Sequence, residues 1–280
     1  MNDKPIAVFD SGLGGLTVVR ALQQQLPHET LVYFGDTARV PYGTKTSTTV
    51  LQFAVQNCDF LLRFDPKLVI VACNTASALA LDDLSERIPV PTLGVVKPGA
   101  AEAVRQSGGH RIAILATEAT VASEAYPRAI HNLDPSIPVV QRQCPSLVAL
   151  IEEGRSADDD ILRRLLAEYL ETVKRLEPAV VVLGCTHYPL VADAVSEMMP
   201  GVKVVDSAEA TAIATRECLT GMDALATRGG RGQLQCYVSD NPQRFREVGS
   251  RFLGQSIREV TWVSPEQFFH EHTLQKSCGV

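Results

Sequence analysis

Short runs in which nearly every position is apolar punctuate the chain: Ile6 to Phe9, Leu31 to Phe34, Leu68 to Ala72, Thr92 to Val95, Ile112 to Ala116, Pro138 to Val140, Val180 to Leu183 and Val202 to Val205. A strand with one wet face alternates apolar and polar residues, so unbroken apolar runs predict parallel strands buried on both faces. The spacing between them leaves room for crossover helices, and the predicted fold class is α/β. The plainest helix follows Ser156, read as its N-cap, with Asp158, Asp159 and Asp160 in the first turn, where carboxylates complement the helix dipole. Its apolar stripe, Ile161, Leu162, Leu165, Leu166, Tyr169, Leu170, Val173 and Leu176, recurs at the helical period, and Pro178 closes it. The acidic run is therefore read as capping and not as a metal site. Thr227 to Gly232 reads as a loop, Leu234 to Val238 as a strand and Pro242 to Leu253 as a helix.

Two of the runs share a grammar. Leu68 to Ala72 leads into Cys73-Asn74-Thr75, and Val180 to Gly184 leads into Cys185-Thr186-His187. Ligands of open parallel sheets lie off the carboxyl ends of the strands, so both thiols are predicted where substrates bind. Two similar lobes facing each other would bring them together. The loops Val96 to Gly99 and Asp206 to Ala208 are candidate crossings, giving residues 98–207 as an inserted lobe and 1–97 plus 208–280 as an outer one.

Composition removes several classes of function. A chain of 280 residues, 45% hydrophobic and 21% charged, carries too much apolar material to be disordered. With 26 basic against 32 acidic residues, the net charge of −6 provides no field for holding nucleic acid. No run approaches the ~18 apolar residues that span a bilayer, and the Met-Asn-Asp-Lys-Pro start lacks the layout of a signal peptide, so a cytoplasmic protein with no membrane partner is expected. The seven cysteines are scattered without a Cys-x-x-Cys pair, unlike a disulfide framework or a zinc site.

The first strand runs into Asp10-Ser11-Gly12-Leu13-Gly14-Gly15, a strand-to-helix turn whose free N–H groups suit an anion; the alternative is a tight turn needing positive φ. Thr17 stands where a dinucleotide fingerprint needs glycine, and no Gly-Lys-Ser/Thr follows, which weighs against a nucleotide cofactor. A single free cysteine is most often a buried small hydrophobe. Cys73 and Cys185, however, are flanked by Asn74, Thr75, Thr186 and His187, donors for a carboxylate or thiolate, and His187 can also accept a thiol proton. Asp36 to Gly43 forms a polar loop whose backbone is set by Pro41 and Gly43 around Tyr42. Thr117 and Thr120, after the strand ending at Ala116, either grip an anion or cap a helix, and Glu152 by itself is expected to face solvent. Cysteines 58, 144, 218, 236 and 278 are assigned to packing or surface, His270-Glu271-His272 to a solvated tail, and no Gly-x-Ser-x-Gly elbow is present.

Taken together, Phe9-Asp10-Ser11-Gly-x-Gly-Gly, Tyr33-Phe-Gly-Asp36 through Pro41-Tyr42-Gly43, Ala72-Cys73-Asn74-Thr75-Ala76 and Leu183-Gly-Cys185-Thr186-His187-Tyr188-Pro189-Leu190 closely resemble the glutamate racemase family. The match keeps that family's order and spacing from about residue 5 to about residue 215; beyond it the likeness is one of length and pattern. The resemblance implies two pseudo-symmetric α/β lobes with glutamate in the cleft between them and no cofactor. Inversion at one carbon requires a base on one face and an acid on the other. In the family, the cysteine matching Cys73 deprotonates D-glutamate and the one matching Cys185 deprotonates L-glutamate. By the same matching, Asp10 assists Cys73, His187 assists Cys185 with Glu152 near it, and Ser11, Pro41, Tyr42, Gly43, Asn74, Thr75, Thr117, Thr120 and Thr186 hold the substrate. The family's D-glutamate feeds peptidoglycan synthesis, which implies a cytoplasmic bacterial enzyme, and homodimers are common in it. The rivals are an aspartate racemase, a related lyase using one cysteine, and a protein that binds and regulates DNA gyrase, as some family members do. No acidic stripe in the sequence supports DNA mimicry for this last role.

Overall fold

The computed structural model describes residues 3–227 and 229–269. Ten strands run β1 (Ile6–Asp10), β2 (Leu31–Gly35), β3 (Leu68–Val71), β4 (Thr92–Gly94), β5 (Ile112–Ala116), β6 (Val139–Gln143), β7 (Val180–Gly184), β8 (Lys203–Asp206), β9 (Leu234–Val238) and β10 (Val260–Trp262) among the described residues. The helices are α1 (Leu16–Gln25), α2 (Ser47–Leu62), α3 (Asn74–Arg87), α4 (Val96–Ser107), α5 (Glu118–Ala122), α6 (Ala125–Leu133), α7 (Leu147–Glu152), α8 (Asp160–Lys174), α9 (Ala192–Met198), α10 (Ser207–Gly221), α11 (Pro242–Leu253) and α12 (Pro265–Phe269).

The strands form two sheets, β10-β9-β2-β1-β3-β4 and β6-β5-β7-β8, and every pairing is parallel. The order β2-β1-β3-β4 of the larger sheet is repeated as β6-β5-β7-β8 in the smaller. β3 and β7, which lead to Cys73 and Cys185, therefore occupy equivalent places. The unbroken apolar runs are explained by burial on both faces. Ile6, Val8, Leu68 and Ile70 point into one apolar layer while Ala7, Phe9, Val69 and Val71 point into the opposite one. The smaller sheet divides likewise: Ala113, Leu115, Val181 and Leu183 face one side, and Ile112, Ile114, Val180 and Val182 the other. The layer containing Ile6 and Val8 is continuous with the one containing Leu115 and Leu183, so both sheets share a single apolar cluster.

Local differences from the sequence reading have physical causes. Val96 to Gly99 is the first turn of α4 and not a loop; Pro98 is tolerated there because first-turn N–H groups lack intrahelical partners. Asp159, not Ser156, caps α8, its Oδ1 accepting from the amides of Ile161 and Leu162 at 3.0 Å each. Ile161 and Leu176, expected in the stripe of α8, are 55% and 41% exposed, because one sits in the first turn and the other beyond the last. β6 continues to Gln143 with only half-buried and exposed positions, as an edge strand allows. Pairing of β9 with β2 and β10 places residues 234–262 in the larger sheet. Cysteines 58, 144 and 236 are buried, Cys218 is half-buried, and Cys278 and the His270-Glu271-His272 run lie outside the described residues. No helix among the described residues is long and apolar enough to cross a membrane.

A buried ion pair anchors the returning chain beneath the larger sheet. Lys67 Nζ lies 2.6 Å from Glu29 Oε2, with the side chains 4% and 2% exposed. Lys67 also donates to the carbonyl of Ala224 at 2.7 Å, and Glu29 accepts from the amide of Ala226 at 2.7 Å. Removing one member leaves the other charged and unpaired in a dry environment. Lys67→Met is expected to lower the unfolding free energy by about 3–5 kcal/mol, measured by urea denaturation. A loss below ~1 kcal/mol would show that the pair does not hold this segment.

Candidate active site

In a sheet of order β2-β1-β3-β4 the chain reverses direction between β1 and β3, and the crevice beyond their carboxyl ends is open. The same reversal lies between β5 and β7. Four strand ends thus supply the polar residues: Asp10 and Ser11 after β1, Cys73 to Thr75 after β3, Thr117 after β5, and Cys185 to His187 after β7. A cavity of about 100 Å³ lies among them, lined on one side by Ser11, Pro41, Tyr42, Gly43, Cys73, Asn74 and Thr75 and on the other by Thr117, Cys185, Thr186 and His187. Thr44, Glu118, Pro145 and Val148 also line it and were not anticipated from the sequence. Asp10, Thr120 and Glu152 stand one layer behind, hydrogen-bonded to lining residues. A larger groove of about 760 Å³ follows β9 and the residues after Leu253, but it brings no two thiols together.

The glycine-rich turn is not the positive-φ turn that was the alternative considered from the sequence. Gly12, Gly14 and Gly15 are not among the glycines with positive φ, so handedness does not require them. Closeness does. A Cβ on Gly14 would lie 2.3 Å from Thr186 Oγ1 and 2.5 Å from the His187 ring, and one on Gly15 would lie 2.6 Å from Asp10 Cβ. The first contact joins the two sheets. Thr17 strengthens it by donating to the carbonyl of Thr186 at 3.0 Å, and Thr186 Oγ1 donates to Asp10 Oδ1 at 3.4 Å.

Cys73 is the N-cap of α3, and its Sγ contacts Ser11 Oγ at 3.6 Å. Burial and then the nearby Asp10 carboxylate push this thiol up to about 11, against the opposing hydrogen bonds of the Ala76 amide and of Ser11. Asp10 is fully buried, its Oδ2 accepting from the Gly12 amide at 2.9 Å. Burial raises its carboxyl above the usual range, opposed first by the nearby His187 and then by the amides of Gly12 and Gly15. Asn74 accepts from Tyr126 Oη at 2.7 Å, whereas its buried Nδ2 has no hydrogen-bond partner. That amide is a donor available to a bound oxygen. Thr75, Thr117 and Thr120 form a hydroxyl triangle across the cleft, with contacts of 2.9, 3.3 and 2.9 Å. Thr117 also caps α5, its Oγ1 accepting from the Thr120 amide at 3.4 Å, which is the capping role weighed for this segment.

On the opposite side no helix begins at Cys185. Its thiol is pushed up by burial, with the charges of Cys73 and Asp10 adding to the effect and the His187 amide opposing it. A side chain also stands beside this thiol. His187 Nδ1 is 4.0 Å from Cys185 Sγ, and Nε2 is 2.9 Å from Glu152 Oε1. Burial works to raise the Glu152 carboxyl, but the hydrogen bond and charge of His187, joined by Arg244, outweigh it and hold the carboxyl below its usual range. Glu152, expected at the surface from its own segment, is thereby part of the site.

The Pro41-Tyr42-Gly43 loop is held from behind by Asp36, which is fully buried. Asp36 accepts from Tyr42 Oη, from Arg39 Nε at 2.7 Å and from Ser239 Oγ at 3.1 Å. Asn57 closes the ring, donating to Tyr42 Oη at 3.1 Å and accepting from Arg39 at 2.9 Å. Among the described residues no group of three His, Cys, Asp or Glu side chains converges as a metal site.

Residues 15–215 match the family model described as Asp/Glu/Hydantoin racemase. The chain is 43% identical over 264 residues to the glutamate racemase of Geobacter metallireducens, covering 94% of this chain and 97% of that protein. Glutamate racemase from Thermus thermophilus, in complex with beta-chloro-D-alanine, is structurally similar with a TM-score of 0.86 at 42% identity, covering 95% of this chain and 99% of that one. Glutamate racemase from Francisella tularensis, in complex with D-glutamate, has a TM-score of 0.88 at 35% identity, covering 94% and 98%. With a match over most of its length and the same paired-sheet architecture, the chain belongs to the Asp/Glu/Hydantoin racemase family.

Proposed function

We propose that the protein interconverts L- and D-glutamate without a cofactor, using Cys73 and Cys185 as two bases. The observation that carries the reading is the pair of thiols at equivalent strand ends on one small cavity rich in hydroxyl and amide groups. With L-glutamate bound, the Cys185 thiolate takes the α-proton and the electron pair stays on the carbon. The Cys73 thiol then delivers a proton to the opposite face, leaving D-glutamate and a Cys73 thiolate; the reverse reaction exchanges the roles. Asp10 assists Cys73, and His187, oriented by Glu152, assists Cys185. Ser11, Tyr42, Gly43, Asn74, Thr75, Thr117 and Thr186 hold the ammonium and carboxylates, with Pro41 shaping the loop and Thr120 bracing the other two threonines.

The energetics favour a dry site. An amino-acid α-proton is far less acidic than a thiol, and each pKa unit of mismatch adds ~1.4 kcal/mol to the transfer. Raising a thiol from 9.0 to about 11 makes its thiolate a stronger base and recovers about two of those units. The unpaired Asn74 Nδ2 and the hydroxyl triangle are donors already in position, so charge developing on the substrate carboxylate meets them without reorganisation. The same proposal places the enzyme in the cytoplasm as a homodimer supplying D-glutamate for the peptidoglycan cell wall. Its cleft lies between lobes of residues 1–97 plus 208–280 and 98–207.

Incubating the protein with L-glutamate, and separately with L-aspartate, in deuterated water is expected to abolish the optical signal of glutamate alone and put deuterium at its α-carbon. Exchange with neither amino acid would defeat the reading, and exchange with aspartate alone would move it to the rival substrate. Cys73→Ser and Cys185→Ser are each expected to lose about 10²–10⁴-fold in racemisation while staying folded by circular dichroism. Gly14→Ala drives a methyl against Thr186 and His187, so kcat/KM should fall about 10²-fold through displacement of the Cys185 side. An alanine variant with wild-type kinetics would show that this contact does not set the cleft.

A further inference from the structure

We infer that Arg244 is a positioning residue for the Cys185 half of the reaction, steadying Glu152 against His187 from the helix α11. The inference rests on the two-thiol reading above and extends it to a residue that touches neither thiol.

The geometry is a relay across the two sheets' territories. Cys185 Sγ lies 4.0 Å from His187 Nδ1, His187 Nε2 lies 2.9 Å from Glu152 Oε1, and Arg244 Nη2 lies 3.6 Å from the other oxygen, Glu152 Oε2. Cys185, His187 and Glu152 all come from the segment that builds the smaller sheet, whereas α11 follows β9 of the larger one. Each Glu152 oxygen thus has a basic partner in a different direction, His187 at hydrogen-bond distance and the half-exposed Arg244 at ion-pair distance.

Local preference argues against an arginine at this place unless it has a task. Asn241 caps α11 and accepts from the Arg244 amide at 3.0 Å, so Arg244 sits in the first turn, and no acidic residue accompanies it there. A cation at a helix start opposes the dipole. Departures of this kind from local preference concentrate at functional sites.

The rest of α11 holds the arginine in place. Phe245 is buried against Tyr33, with ring centroids 5.7 Å apart, and Phe252 meets the His187 ring edge-on at 5.0 Å. Arg251 donates to the carbonyl of Ile151 at 3.4 Å, beside Glu152. The other nearby charges are committed elsewhere: Glu153 pairs with Arg155, which also pairs with Asp159. Glu152 therefore faces His187 and Arg244.

The test must respect one thermodynamic constraint. The two glutamate enantiomers are equal in free energy, so kcat/KM must be the same in both directions for any variant, and a one-sided defect cannot appear there. It appears in isotope effects. Arg244→Ala is expected to lower kcat/KM roughly tenfold. It should also enlarge the primary isotope effect for α-deuterated L-glutamate, whose proton goes to Cys185, and shrink that for α-deuterated D-glutamate. Arg244→Lys, which keeps the charge, should restore most of the loss. Carbon-13 NMR of the Glu152 carboxyl provides a readout independent of turnover: its titration should move to higher pH in Arg244→Ala. Unchanged kinetics, lower activity with both isotope effects unaltered, or a Glu152 titration that does not move would overturn the assignment. An inactive wild-type enzyme would instead sink the racemase reading, and the hold of Arg244 on Glu152 would then be judged by the titration alone.

Discussion

Gly14 approaches Thr186 and His187 more closely than any side chain permits, and the site depends on that approach. Asp10 and Cys73 stand at the ends of one sheet, Thr117 and Cys185 at the ends of another, and parallel sheets of this kind each leave a crevice at their own switch point. Two such crevices become one cavity only where backbone from the first can lie directly on side chains of the second. The turn after β1 achieves this by having no Cβ to intervene. The continuous apolar cluster beneath it then buries the remainder of the contact and fixes the distance between the two ends.

Within that cavity, desolvation dominates the electrostatics. Burial is the largest influence on Asp10, Cys73 and Cys185, and for each it favours the neutral form. What differs is the relief. Cys73 caps a helix of 14 residues, and backbone amides moderate the cost of its charge. Cys185 leads into a short turn and not into a helix of comparable length, and an imidazole with its own carboxylate stands beside it instead. Backbone amides moderate both charges, that of His187 doing so for Cys185, and only the Cys185 side adds a chain of side chains behind them.

Much of this was legible in the sequence because buried parallel strands write themselves as apolar runs. Strand positions, the α/β class and the placement of Cys73 and Cys185 at strand ends follow from that alone. The parts that were not legible depend on tertiary contact. The helix Pro242 to Leu253 was visible as a helix, but its periodicity does not say that Arg244 and Phe252 meet Glu152 and His187. The closeness that the glycines of the first turn permit was not among the readings of that turn, because a clash with Thr186, far along the chain, leaves no local mark. Asp36 resembled an ordinary loop residue, yet it is the buried hub that fixes Tyr42. Ser156 and Asp159 are equally good caps by residue type, and only the turn between them decides which amides are within reach.

The same burial that shapes the cavity bears on how the thiols survive between encounters with substrate. Peroxide and other oxidants attack the thiolate and not the thiol. A thiol held near 11 is ionised to only about 10⁻⁴ at neutral pH, against about 10⁻² for one at 9.0. Burial thus lowers the share of Cys73 that is in the form oxidants attack, and that of Cys185, pushed up further, by more. Two sulfurs facing one cavity would ordinarily invite oxidative cross-linking, and desolvation works against it by disfavouring the thiolate of each.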